Sequence, residues 1–308
     1  MLRFLLNRGG QALIAAFGVV TLVFFIQRLS GDPTALLLPE TATQADIEAM
    51  RVTLGLDRPM WEQYLYFLWD MMQFDLGRSF VQNTSVWEII ISRVPQTLQL
   101  AGGALVVALL IGLPLGVIMA LARGKFIARI IMGLVLAFQS MPTFWSGIMM
   151  ILVFGVWFKW LPPSGTGTFA HLIMPSIALG LLSLATYARI TRAAVVDELG
   201  KDYVRSARAR GVGTGRLVSR HLMRNSLIPI VSITALEFSQ LLAGAVIVET
   251  VFAWPGLGLL TVQSIASRDF MVVQAVVLLG AFVTIFANLA ADILYSIIDP
   301  RVRLGGKL

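Results

Sequence analysis

Cysteine is absent from the 308 residues, which excludes disulfides, thiolate metal sites and a cysteine nucleophile. Charge is scarce as well: charged side chains make up 13% of the chain and hydrophobic ones 57%. A soluble domain carries about 25% and about 45–50%. The balance excludes a soluble globular protein and identifies an integral membrane protein. Signatures of chemistry are missing too. Neither Gly124-Lys125-Phe126 nor Gly200-Lys201-Asp202 has the spacing and ending of a phosphate-binding Gly-x-x-x-x-Gly-Lys-Ser/Thr loop, so this chain is not expected to hydrolyse ATP. There is no His-Glu-x-x-His zinc pattern and no Gly-x-Ser-x-Gly nucleophile elbow. The two histidines, His171 and His221, read as surface or packing residues rather than ligands. No catalytic, metal-binding or cofactor-binding residue is expected.

What is there is a series of apolar runs, each long enough to cross a bilayer core of about 30 Å, which takes about 20 helical residues. They fall at about 11–29, 97–121, 130–157, 172–190, 229–248 and 272–298. The expected fold is all-α, with about six transmembrane helices. Gly31, Asp32 and Pro33 close the first run and open a polar region reaching about Pro95. In it Thr43 and Asp46 make a capping-box-like helix start, Gly55 a stop, and Pro59 a second start leading through Trp61, Tyr64, Phe67 and Leu68. Residues 1–30 thus hold the first span, 31–96 a helical insertion and 97–308 the remaining core.

The net charge of +7 would suggest nucleic acid in a soluble protein, but here its placement matters more. Seventeen of the 24 lysines and arginines lie before residue 11, in 123–129, in 189–224 or after 300. By the positive-inside rule, these segments share the cytoplasmic side. Six spans put both termini and the basic loop there.

The only long polar and strongly basic stretch between apolar runs is Asp197–Pro229, DELGKDYVRSARARGVGTGRLVSRHLMRNSLIP. Leu199, Tyr203 and Ala207 alternate at helical spacing with Lys201, Arg205 and Arg208, which predicts a short amphipathic helix stopped by Gly211. Thr214 then caps a second short helix, with Arg216, Arg220 and Arg224 beside Leu217, Val218 and Leu222. Two short helices joined by a glycine turn would form a plug.

Polar residues inside the apolar runs single out further positions. Gln139, Ser140, Pro142 and Thr143 interrupt the third run, Pro114 is expected to kink the second, and Glu237 and Gln240 lie in the fifth. Gln139, Ser140, Thr143, Glu237 and Gln240 are candidate path-lining residues. For the polar group in the third run, a hydrogen bond to a neighbouring helix is an equal alternative, and Glu237 also fits a structural hydrogen bond. Asp292 is expected near the inner end of the sixth run in a structural role.

The plug resembles the coupling loop of ABC-importer permeases, whose pattern is Glu-Ala-Ala, three residues, Gly, nine residues, Ile, one residue, Leu-Pro. Arg205, Ser206, Ala207 and Gly211 occupy its core, while His221, Met223 and Arg224 replace the later residues. The wording YVRSARARG with RHLMRNSLIPIV, then ETVFAWPGLG and the closing DPRVR, resembles the dipeptide, oligopeptide and nickel branch over nearly the whole chain. That resemblance implies a multi-pass subunit of the bacterial inner membrane, with a periplasmic helical insertion and a coupling-helix loop at 195–228. It implies alternating access for peptides between this chain and a second related permease, supplied by a periplasmic substrate-binding protein. Two ATPase subunits, carrying ATP and Mg, would receive Tyr203, Arg205, Ser206, Ala207, Ala209 and Gly211. A self-sufficient ion-coupled carrier or channel, using Glu237 and Asp292, is the alternative.

Overall fold

A computed structural model describes residues 2–29, 43–53, 55–79 and 81–298, and among them every named element is helical. Helix α1 is Leu2–Leu29, and two short helices follow, α2 (Gln44–Thr53) and α3 (Met60–Met72). Helix α4 (Val86–Leu121) is followed by α5 (Phe126–Ser140) and α6 (Thr143–Met150), the last continuing as a π-helical segment over Ile151–Trp157. Helix α7 (Phe169–Leu199) leads to α8 (Asp202–Ala209). Helix α9 (Thr214–Leu217) passes through a π-helical turn, Val218–Leu222, into α10 (Met223–Val251), and α11 (Leu257–Ala266) and α12 (Phe270–Ile298) complete the order. The helix starts of the insertion are as expected: the Thr43 amide donates to Asp46 Oδ2 at 2.9 Å, and Pro59 stands at the N-cap of α3. The segment around Gly31, Asp32 and Pro33, the closing DPRVR and the side chain of Asp292 lie outside what is described.

Among the described residues five helices are long and apolar enough to cross a membrane, and α5 with α6 and its extension makes a sixth crossing if the bent pair is one span. The bundle centres on α4 against α7, its most extensive helix contact. Small residues make the seam: a Cβ at Gly116 would lie 2.7 Å from the Ala188 carbonyl, and one at Gly180 would lie 2.7 Å from that of Ala104. Such close backbone approach replaces hydrophobic driving force where the surroundings are lipid. Around this pair, Leu100, Met174, Leu179, Leu241, Phe252 and Trp254 form the main core. Helix α1 packs at the periphery against α12, and α3 lays Phe67, Leu68 and Met71 on Val20, Val23 and Leu278.

Three expectations need correction. The third run is not one straight span, because α5 and α6 meet at 97°. Met141 precedes Pro142 and takes an extended conformation at ψ 131°, since the proline ring disfavours a helical residue before it. The segment after Thr214 is no separate short helix: Thr214–Val251 is one continuous apolar helix, because nothing from Thr214 to the span stops it and Pro229 is accommodated inside. Finally, helix α4 begins at Val86, ahead of both Pro95 and the expected start.

Candidate functional site

The plug hangs from the end of α7. Helix α8 closes on a Schellman turn: the Gly211 amide donates to the Arg208 carbonyl at 2.9 Å and the Val212 amide to the Ala207 carbonyl at 3.1 Å. Gly211 sits at φ +77°, the left-handed conformation this turn requires. Val212 then folds back onto the same apolar cluster that receives Ala207.

That cluster seats the plug. Val204 and Ala207 from α8, Leu217 and Leu222 from the start of the next helix, Val195 from α7 and Ala120 from α4 are all buried together. At its edge Glu198, 8% exposed, accepts hydrogen bonds from Lys201 Nζ and the Tyr203 hydroxyl, and from Asn225 Nδ2 at 3.1 Å. One carboxylate therefore ties the end of α7 to α8 and to the first turn of α10. Burial, reinforced by Glu198, pushes the Tyr203 phenol above its ordinary value.

The structure divides the expected docking residues between two faces. Ala207 is turned into the cluster and Tyr203 is half-buried beside Glu198, whereas Arg205, Ser206, Ala209 and Gly211 are exposed together with Arg208 and Arg210. Arg205 faces Asp202 at 3.6 Å, but both side chains are largely in solvent, so this pair contributes little to stability. The outer face is thus cationic and small-residued, on a helix whose inner face is fixed.

The candidate path residues are less concentrated. Gln139 and Ser140 end α5 and Thr143 begins α6, so all three stand at the 97° break, with Ser140 exposed. Glu237 is buried at 6% exposure on α10, within electrostatic reach of Tyr187, and Gln240 one turn later is exposed. Gly147 on α6 packs against Val251 and Phe252 at the end of α10, which brings α6 beside that helix. His171 caps its own helix, with Nδ1 2.9 Å from Thr168 Oγ1.

At the bundle end opposite the plug lies a site the sequence did not reveal. Glu249, fully buried, accepts from Thr97 Oγ1 at 2.7 Å, from the Gly258 amide at 2.6 Å and from the Leu259 amide at 3.1 Å. The Leu257 amide donates to Thr97 Oγ1 at 2.8 Å, and Trp254 Nε1 to the Gln96 carbonyl at 2.9 Å. A carboxylate thereby caps the N-terminus of α11, where free amides and the helix dipole favour negative charge. Glu249 to Gly258 thus form a bracket joining α10, α11 and α4. The available signal was an acidic residue ending an apolar run, followed by Trp-Pro-Gly.

Residues 112–304 match the family described as binding-protein-dependent transport system inner membrane component, and residues 1–101 match the N-terminal membrane component of such systems. The chain belongs to that family and is a multi-pass inner-membrane permease. It is 37% identical to the dipeptide transport system permease protein DppB of Escherichia coli (strain K12), covering 98% of this chain and 99% of that protein. It is 40% identical to the glutathione transport system permease protein GsiC of the same strain, with the same coverage. A chain of the inward-facing MetNI methionine ABC transporter shares the fold at TM-score 0.58 and 21% identity, over 69% of this chain and 97% of that one.

Proposed function

We propose that this chain is one of two related permeases that together form a path for peptides in an ATP-driven importer, with its plug docked on a cytoplasmic ATPase subunit. The observation that carries this reading is the division of α8: Val204 and Ala207 anchor it to the bundle while Arg205, Arg208 and Arg210 stand out in solvent. A helix so fixed transmits displacement, and its guanidinium groups suit carboxylates on a partner. Dipeptide and glutathione, the cargoes in the names of the two relatives, are both peptides. ATP and Mg belong to the two ATPase partners, and a periplasmic binding protein delivers cargo at the Glu249 end. Both termini would lie with the plug in the cytoplasm, a placement that the distribution of lysine and arginine supports. Loaded binding protein and bound ATP would favour one of two access states, and hydrolysis would restore the other.

The test uses Gly211. A Cβ there meets nothing of this chain within 4 Å, and asparagine tolerates the positive φ. Gly211→Asn is therefore expected to leave the fold intact but to obstruct the partner. Binding-protein-stimulated ATP hydrolysis of the reconstituted complex should fall by roughly tenfold or more, the equivalent of about 1.4 kcal/mol. Unchanged stimulation would overturn the docking model.

A further inference from the structure

Helix α3 has three faces, where a surface helix of a soluble domain has two. Tyr64, Phe67, Leu68 and Met71 are turned toward α1 and α12. Glu62, Tyr66, Asp70 and the C-cap Gln73 follow one another at helical spacing along a polar stripe, where Glu62 meets Arg58 at 3.5 Å and the Arg58 guanidinium covers the Tyr66 ring. Between these faces runs a third stripe with the same spacing, Trp61, Leu65, Trp69 and Met72. All four are exposed, Trp61 at 66% and Met72 at 73%. In water each such side chain would forgo roughly 1.5–3 kcal/mol of burial, and contiguous apolar surface of this kind marks a contact.

The height of α3 along the bundle decides what touches that stripe. Thr21 Oγ1 donates to the Phe17 carbonyl at 2.8 Å, so in its 2.6 Å contact with Tyr64 the phenol is the donor. Thr21 lies six residues before Gln27, where the apolar run of α1 meets polar side chains again, a helix rise of about 9 Å. On the other wall, Leu68 and Met71 pack with Leu278, which lies nine residues beyond the polar Asp269, or about 13 Å. Both spans therefore hold the middle of α3 inside their apolar runs, at a depth within one leaflet of a hydrocarbon core about 30 Å thick. The Thr21–Tyr64 hydrogen bond suits that depth, because hydroxyls out of reach of water must find partners within the protein.

The surface of α1 continues into α3 without a polar break. Phe17 and Phe25, both exposed on that span, meet the Tyr64 ring at centroid distances of 6.5 and 6.3 Å. We propose that α3 is an interfacial helix sunk into the bilayer leaflet at the Glu249 end, with Trp61, Leu65, Trp69 and Met72 against phospholipid acyl chains and Glu62, Tyr66, Asp70 and Gln73 toward water. Indoles suit this border, since the ring is apolar and its N–H reaches the headgroup level. Part of the insertion at 31–96 thereby belongs to the membrane domain, and α3 clasps α1 to α12 from the lipid side. None of the plug residues enters this placement, so a failure of docking would leave it standing.

The test is spin-label accessibility. The chain has no cysteine, so Leu65→Cys and Trp69→Cys each give it a single site for a nitroxide. The labelled full chain is assembled with its partners in phosphatidylcholine vesicles and exposed to oxygen, which concentrates in lipid, or to a water-soluble nickel chelate. Ile14→Cys, exposed on α1, serves as the lipid reference, and Glu48→Cys on α2, a helix with no buried residue, as the water reference. Losing hydrogen bonds to water in hydrocarbon costs a polar reagent roughly 2–7 kcal/mol, so the oxygen-to-nickel collision ratio at 65 and 69 should match that at 14 and exceed that at 48 by roughly tenfold or more. A ratio like that at 48 would make the stripe a water-exposed surface and overturn the proposal. Low collision with both reagents and an immobilised nitroxide would show that a protein partner covers it, and would overturn the proposal as well. A second measurement needs no label. Phosphatidylcholine brominated on its acyl chains should quench less emission in Trp61→Phe/Trp69→Phe than in the unsubstituted chain, and an equal quenched emission would also overturn the proposal.

Discussion

Glu198 and Glu249 are both buried carboxylates at the ends of membrane helices, yet they are satisfied in opposite ways. Glu249 is held by two backbone amides and a threonine hydroxyl, all fixed by the close fit of Gly256 and Gly258 around it. Glu198 is held by three side chains, of which Lys201 is 54% exposed and Asn225 is exposed. The first arrangement has no alternative partners, because an amide inside the bundle cannot reach water. The second does, because lysine and asparagine can rotate into solvent at modest cost. One end of the permease is a rigid bracket and the other a detachable latch on the element proposed to move.

Three substitutions would break or sharpen that contrast. The largest effect is expected from Glu249→Ala, which strands the Gly258 and Leu259 amides and the Thr97 hydroxyl. Thermal unfolding of the purified chain in detergent should register a loss of about 3 kcal/mol or more. Glu198→Ala is expected to cost only about 1–2 kcal/mol in the same measurement. It should nevertheless release α8, seen as faster proteolysis at Arg205 and Arg208 and as weaker binding-protein-stimulated ATP hydrolysis. Equal destabilisation by the two alanines would remove the distinction between bracket and latch. The smallest effect belongs to Tyr203→Phe, which removes one hydrogen bond to a carboxylate that keeps two others. A loss of about 0.5–1 kcal/mol is expected, with the proteolysis pattern shifted in the direction of Glu198→Ala. A pattern identical to that of the unsubstituted chain would make Lys201 and Asn225 sufficient for the latch.

Much of the coupling element was legible before the structure. Its helix length, the stop at Gly211 and the cationic face of Arg205 and Arg208 follow from spacing over a few residues, where local geometry decides. So does the division of the helix, which set Leu199, Tyr203 and Ala207 apart from Lys201, Arg205 and Arg208. What covers the apolar face was not legible, because Leu217 and Leu222 reach it from the next helix. The Glu249 bracket was illegible for a different reason: Thr97 lies 152 residues away, and a carboxylate near an interface looks like a surface group until its donors are placed. The bend at Pro142 was half legible, since the proline marked the interruption but not the 97° turn.

By itself the amino-acid sequence determined that this protein lives in a membrane, where its apolar runs lie and which of their connections is basic. Those properties depend on composition and short periodicities, because the bilayer selects each span one helix at a time. Only the tertiary structure decided that α4 and α7 form the central pair, that α6 folds against α10, and that Glu198 and Glu249 lock opposite ends. Such decisions rest on contacts between residues far apart in the chain, where fit and hydrogen-bond satisfaction choose among arrangements that hydropathy leaves equal.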